Sequence, residues 1–343
     1  MFAGCYTAVI TPEHASGRID YSSLRDLVDF QTENGVNGIV AAGTTGESST
    51  MTESEHIRVI EKINEYLGSR GTTIGGTGSN STEKTLKLTR HAYDAGVKAA
   101  LLVDPYYNGP SSLEIRKEYV SPVAAAFPDV QIIPYIIPGR CGTQMLPQDL
   151  AALHSQFPNV RAVKEATGDS NNMKLTRKMC GSDFDILSGD DGKTYEMMTT
   201  PEIKASGVIS VASNVAPKAV KRLVSSLSEG HLENAQKQAE ALAPLFGIIT
   251  VKTEEETPFG PSACRARNPL PYKTLMNILG MPSGSCRRPL GRMTKNGFGI
   301  VLEAARKTYE SHPEILEPVE KFFGVDLSKR LYEEKYWEGL RYD

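Results

Sequence analysis

The chain has 343 residues, 40% hydrophobic and 23% charged, with a formal net charge of −3. That length buries a large core, and one barrel-sized unit with a smaller companion fits it better than two equal halves. The near balance of charge gives no field for nucleic acid or an anionic membrane surface, and no apolar run approaches bilayer length.

Residues Met1 to Ile10 lack the basic start of a secretory signal and read as a strand running into a turn at Thr11-Pro12. From there the sequence alternates. Short apolar runs rich in Val, Ile and Ala predict strands at 6–10, 38–42, 72–76, 99–103, 131–136, 160–166, 185–188 and 207–212. Helical periodicity fills the intervals at 21–34, 53–67, 81–95, 111–126, 147–156, 170–180, 192–200 and 217–228. Ser81, followed by Glu83 and Lys84, and Pro147 mark two helix starts. Near-continuous apolar strands are those of a sheet covered by helices.

Eight strand–helix units in about 225 residues predict an α/β fold, a closed (β/α)8 TIM barrel over 1–225. An open dinucleotide-binding sheet lacks its anchor, since no Gly-x-Gly-x-x-Gly follows the first strand. Thr77-Gly-Ser-Asn80 lacks the Gly-Lys-Ser/Thr ending of a phosphate loop.

After the eighth unit the alternation stops, which predicts a C-terminal helical domain over 226–343. Helices are expected at 230–245, 272–279 and 297–309, whereas 252–271 reads as loop. The tail 310–343 carries Ile315, Leu316, Phe322, Phe323, Leu331, Tyr336 and Trp337, enough apolar surface to dock. The basic residues of 265–295 are broken by Pro and Gly and lack interleaved aromatics, unlike a nucleic-acid patch. Cys5, Cys141, Cys180, Cys264 and Cys286 are odd in number and form no Cys-x-x-Cys, as expected of reduced thiols in a cytoplasmic protein.

Chemistry gathers at predicted strand ends. Lys164 sits in a run that otherwise reads as a short buried strand, with Val160, Ala162, Val163 and Ala166. Burial there lowers an amine's pKa and frees its lone pair to attack a carbonyl, the behaviour of a Schiff-base lysine. The competing reading is a lysine snorkelling from a strand end to water. Gly43-Thr-Thr-Gly-Glu-Ser48 after the second strand offers hydroxyls and consecutive N–H groups for a carboxylate. Tyr106 and Tyr107 follow the fourth strand, Tyr135 and Arg140 the fifth, and Ser188-Gly-Asp-Asp191 the seventh; Ile209 on the eighth walls the pocket. Phenols relay protons, and arginine holds a carboxylate through two hydrogen bonds. No His/Cys/Asp/Glu cluster has metal spacing, so neither a metal nor another cofactor is expected. Together these groups suit carbon–carbon bond chemistry on a 2-keto acid through an enamine.

These motifs, in this order and spacing, resemble the dihydrodipicolinate synthase family of the N-acetylneuraminate lyase superfamily of class I aldolases. The likeness runs from Met1 to about Leu227 and resumes at Asn268-Pro-Leu-Pro-Tyr-Lys through Gly280. It implies a Schiff base between Lys164 and pyruvate, and a proton relay of Thr45, Tyr135 and Tyr107, the last reaching across a dimer interface. It places Thr44 in the pyruvate-carboxylate loop, Gly189 and Ile209 in the pocket, and Arg140 on the carboxylate of a second substrate, aspartate 4-semialdehyde. It implies a homotetramer or dimer acting on small molecules, with neither nucleic acid nor membrane as partner. A lysine effector site is implied at Ser48, Ser49, Glu53, His56, Asn80, Lys84 and Tyr106, with Lys84 where lysine-inhibited members carry glutamate. The chain departs from the family pattern at Ile136 and Cys141, in an apparent insertion at 252–267, and in the tail beyond 310. Another pyruvate-dependent aldolase and a non-catalytic keto-acid sensor are the competing functions.

Overall fold

The computed structural model describes residues 2–342. Eight parallel strands close into a barrel in sequence order: β1 (Gly4–Ala8), β2 (Gly38–Ala41), β3 (Thr72–Gly76), β4 (Ala99–Val103), β5 (Gln131–Ile136), β6 (Ala162–Glu165), β7 (Asp185–Ser188) and β8 (Gly207–Ser210). Outside run α1 (Tyr21–Glu33), α2 (Glu53–Leu67), α3 (Thr82–Asp94), then α4, made of Ser112–Glu114 and Ser121–Ala126 joined by a π-helical stretch, Ile115–Val120. They are followed by α5 (Pro147–Gln156), α6 (Ser170–Cys180), α7 (Thr194–Thr199) and α8 (Pro217–Ser228). The expected (β/α)8 barrel is therefore present. Ser81 caps α3 by accepting from Lys84 N, and Pro147 opens α5.

The first strand lies two residues earlier than the apolar run 6–10. Gly4 to Thr7 pair with Gly207 to Ser210 of β8, whereas Ile10 N donates instead to Asn214 Oδ1 at 3.1 Å. Val9 and Ile10 stay buried outside the sheet, so hydrophobicity alone misplaces the strand end.

Alternation along the strands sorts side chains between two layers. Tyr6, Val40, Ile74, Leu101, Ile133, Tyr135, Ala162, Leu187 and Ile209 fill the barrel interior. Their neighbours, such as Ile39, Leu102, Ile136, Val163 and Ile186, pack against the helices.

Beyond the barrel come α9 (Leu232–Phe246), α10 (Leu270–Leu279) and α11 (Lys295–Ser311). Between α9 and α10 the chain forms an antiparallel hairpin, β9 (Thr250–Thr257) and β10 (Gly260–Arg267), which corrects the loop expected at 252–271. The alternation there is of half-buried against exposed residues, Thr253 and Glu255 against Lys252 and Glu254, and the polar character of both sets hides the strand period in an apolar scan. A turn of Pro258-Phe259, closed by Gly260 at φ +103°, joins the strands. Val251 packs on Gly297 of α11, and Asn296 donates to Glu255 at 2.9 Å.

The tail docks as expected. Phe322 and Phe323 lie 5.3 and 5.2 Å from the ring of Phe30 on α1. Trp337 packs on Phe298 and donates its indole N–H to Arg330 O at 2.8 Å. No described helix is long and apolar enough to cross a membrane.

Candidate active site

Lys164 lies two residues after Ala162 on β6 and so shares its inward face. Register sets it beside Tyr135 of β5 and Leu187 of β7. Its side chain is 5% exposed. Burial pushes the amine down to about 7; the nearby Asp191 charge opposes that shift and Arg140 reinforces it. The Nζ lies 4.1 Å from the Tyr135 ring centroid. Gly189, after β7, leaves room for this stem, since a Cβ there would sit 3.2 Å from Lys164 Cε and 2.8 Å from Ala166 Cβ.

Tyr135 holds its phenolic proton firmly. Burial raises its pKa to about 12, against opposing contributions from Arg140 and from the Thr44 hydroxyl. Thr44 lines a small pocket with Ser48, Val103 and Tyr135. Thr45 is 2% exposed, and its Oγ1 accepts from Asn268 Nδ2 at 2.9 Å. Thr45, expected in the relay, is not among the residues lining that pocket, whereas Thr44 and Tyr135 both are. Neighbours of one residue type in a tight turn point to opposite sides, and composition cannot say which faces in.

The turn itself is fixed from the C-terminal helices. Glu47 adopts a left-handed backbone, φ +61°. Its carboxylate accepts from Lys273 Nζ of α10 at 2.8 Å and from Arg287 N at 2.8 Å. Lys273 and Glu47 have side chains only 1% and 3% exposed, and Lys273 also donates to Thr11 O and Ser285 O. Arg287 continues the network with two 2.7 Å bonds to Glu55 and a contact to Glu13.

Asp191 is a functional neighbour that the sequence marked only as the end of Ser188-Gly-Asp-Asp191. It is buried, and its carboxylate accepts from Ser210 Oγ, from Val211 N at 2.9 Å and from Ala212 N at 3.1 Å. Burial raises its pKa, and these donors oppose the shift. Asn268 was missed altogether as a site residue, because 223 residues separate it from Thr45.

Arg140 sits on a single helical turn, Pro138–Cys141, after β5. Burial, with help from Arg267, holds its guanidinium below the usual range while Tyr135 opposes. Its Nη2 donates to Asn268 O at 2.9 Å. Ile209 is buried in the interior cluster that also holds Tyr135. Tyr107 stands apart, 91% exposed with φ +86°.

Of the expected effector residues, Glu53, His56 and Lys84 lie near enough for their charges to act on one another. Asn80 and Tyr106 line one surface pocket with Thr82, Glu114 and Tyr119. Ser48 belongs to the pocket of Thr44, Ser49 is exposed, and Glu53 is paired with Lys87 at 2.6 Å. His56 is buried with Nε2 against Gly76 O at 2.7 Å, burial lowering its pKa, while Lys84 is exposed. Among the described residues no group of three or more His, Cys, Asp or Glu can hold a metal ion.

The model of the dihydrodipicolinate synthetase family matches residues 1–303. The chain belongs to that family. The 4-hydroxy-tetrahydrodipicolinate synthase of Syntrophus aciditrophicus is 39% identical over 295 residues, covering 86% of this chain and 94% of the relative. Among solved structures, the 4-hydroxy-tetrahydrodipicolinate synthase of Methylacidiphilum fumariolicum superposes with a TM-score of 0.83 at 34% identity, over 94% of this chain and 99% of that one. A structure described as a monomeric dihydrodipicolinate synthase variant gives 0.80 at 32% identity, over 90% and 97%.

Proposed function

We propose that this chain condenses pyruvate with L-aspartate 4-semialdehyde to 4-hydroxy-tetrahydrodipicolinate, on the route to diaminopimelate and lysine. The observation that carries the reading is Lys164: an inward amine with a pKa near 7, beside the protonated phenol of Tyr135. At neutral pH much of this amine is neutral and able to attack C2 of pyruvate. The carbinolamine loses water, its oxygen taking a proton relayed through Tyr135 and Thr44, and an iminium remains. Loss of a C3 proton gives the enamine, whose carbon attacks the aldehyde. The amino group of the second substrate then displaces Lys164 and closes the ring. The chain's own lysine carries the intermediate, so the reaction calls for no external cofactor.

The pocket shared by Thr44 and Tyr135 supports Thr44 as the relay hydroxyl, with Thr45 and the turn amides facing the pyruvate carboxylate. Arg140 takes the carboxylate of the aldehyde, and Tyr107 serves a partner's site. Ile136 does not alter the pocket, since it packs outside the barrel with Val163. Residues 1–225 act as the catalytic domain and 226–343 as a domain bracing the Glu47 turn. The five cysteines are free, in keeping with a cytoplasmic homo-oligomer.

Borohydride reduction with pyruvate tests the reading. A single adduct on Lys164, lost in Lys164→Ala, is expected, together with turnover of aspartate 4-semialdehyde and none of N-acetylneuraminate. Thr44→Val is expected to slow turnover about a hundredfold or more, the scale of one acid–base group, and Thr45→Val to act mainly on the KM for pyruvate. Trapping at another lysine, or preference for N-acetylneuraminate, defeats the proposal.

A further inference from the structure

The hairpin β9–β10 ends at the mouth of the barrel. Arg267, its last residue, donates from both Nη1 and Nη2 to Gly139 O, each at 3.1 Å. Gly139 is the neighbour of Arg140, and Arg140 in turn donates to the carbonyl of Asn268. The two arginines thus reach across each other's backbones and share one rim. Arg265, two residues earlier on the same face of β10, adds its charge to the same place.

Among the described residues no acid forms an ion pair with this rim. The ion-paired arginines among the described residues are Arg70, Arg116, Arg161 and Arg287. Arg140, Arg265 and Arg267 are not among them. Like charges held together without an anion repel, and the fold keeps them there by backbone hydrogen bonds alone. Each 3.1 Å bond to Gly139 occupies one N–H per nitrogen and leaves other donors of the Arg267 fork free.

We propose that the hairpin builds an anion subsite at the entrance, in which Arg267 joins Arg140 in binding the carboxylate of the incoming amino-acid aldehyde. The inference rests on the functional reading above for the identity of that ligand. Lys164 lies inside the barrel and Arg140 on the rim, so pyruvate enters past the subsite without depending on it. Arg267 is a specificity-determining residue for the second substrate; Arg265 supplies field rather than contact.

The test uses the full chain with pyruvate present, titrated with L-homoserine, the unreactive alcohol of the aldehyde, and with L-homoserinamide, which lacks the carboxylate. The unmutated protein is expected to favour homoserine over the amide. Arg267→Ala is expected to weaken homoserine binding about tenfold, the scale of one charge-assisted hydrogen bond, and to leave the amide unchanged. Arg267→Lys retains charge without the fork and is expected to recover part of the affinity, with the salt dependence of binding preserved. Homoserine binding within twofold of the parent in Arg267→Ala overturns the subsite. So does an Arg267→Lys chain as weak as Arg267→Ala, because the tether to Gly139 then accounts for the effect. The KM for aspartate 4-semialdehyde is expected to follow the same order while the KM for pyruvate stays constant. If the unmutated chain does not turn over that aldehyde, the functional reading fails, and the homoserine titrations still decide the subsite.

Discussion

Burial disfavours the Lys164 ammonium, so in the folded chain the amine titrates near 7 instead of at its ordinary 10.5. The unfolded chain therefore binds a proton between those values that the folded chain does not. By linkage, the stability cost is full below pH 7 and fades as pH rises toward 10.5, roughly 3–5 kcal/mol at its largest. The same shift supplies the neutral nucleophile, so one physical cause both weakens the fold and enables the reaction. Two signatures are expected. The rate of pyruvate trapping falls about tenfold per unit below pH 7 and levels off above it. Lys164→Met, which lacks the buried charge, melts higher than the parent at pH 6, with the gap narrowing at pH 9. A flat trapping profile from pH 5 to 9 contradicts the depressed pKa. Lys164 was legible in the sequence because a cation directly after Ala162 and Val163 in a predicted buried strand is a local anomaly. The orientation of Thr44 and Thr45 was not, since two adjacent threonines carry no mark of which hydroxyl meets Tyr135.

At the scale of elements, the turn after β2 is held by a helix far along the chain. Lys273 of α10 and Glu47 form an ion pair with almost no exposed side-chain surface. Removing one member of such a pair leaves a buried charge unbalanced and costs about 3–5 kcal/mol, whereas replacing both costs far less. Lys273→Met is expected to destabilise the protein by that amount in denaturant titration and to lower kcat by loosening the turn that carries Thr44. Adding Glu47→Gln is expected to recover part of the stability, short of the parent because Arg287 N loses its anionic acceptor. A double variant whose loss equals the sum of the Lys273→Met and Glu47→Gln losses shows that the pair is not coupled. None of this was readable in advance. The strands and helices of the barrel were, because parallel strands covered on their outer face are apolar runs and each surface helix has its own period. β9 and β10 were not, since one face of that hairpin is exposed and its charged residues mask the alternation.

For the molecule as a whole, Tyr107 is the residue that a single chain leaves unexplained. A tyrosine 91% exposed with φ +86° costs conformational energy and gains no packing within its own subunit. Its N–H reaches Cys141 O at 3.4 Å, which anchors the backbone beside Arg140 but leaves the ring outside. In the proposed two-fold pair a partner subunit meets this surface, and each subunit lends its tyrosine to the other. That arrangement makes a distinctive prediction. Lys164→Ala and Tyr107→Phe are each expected to be severely impaired, the first by loss of the nucleophile and the second by about two powers of ten or more through the relay. Mixed, unfolded and refolded together, they form hybrid dimers in which one site has both an intact Lys164 and an intact tyrosine from its partner. With equal amounts, half the dimers are hybrid and each restores one site of two, so activity recovers to about a quarter of the parent. Recovery absent from a mixture whose hybrid dimers are seen by native mass spectrometry places Tyr107 in its own subunit's site, and the exposed conformation then has to close inward when substrate binds.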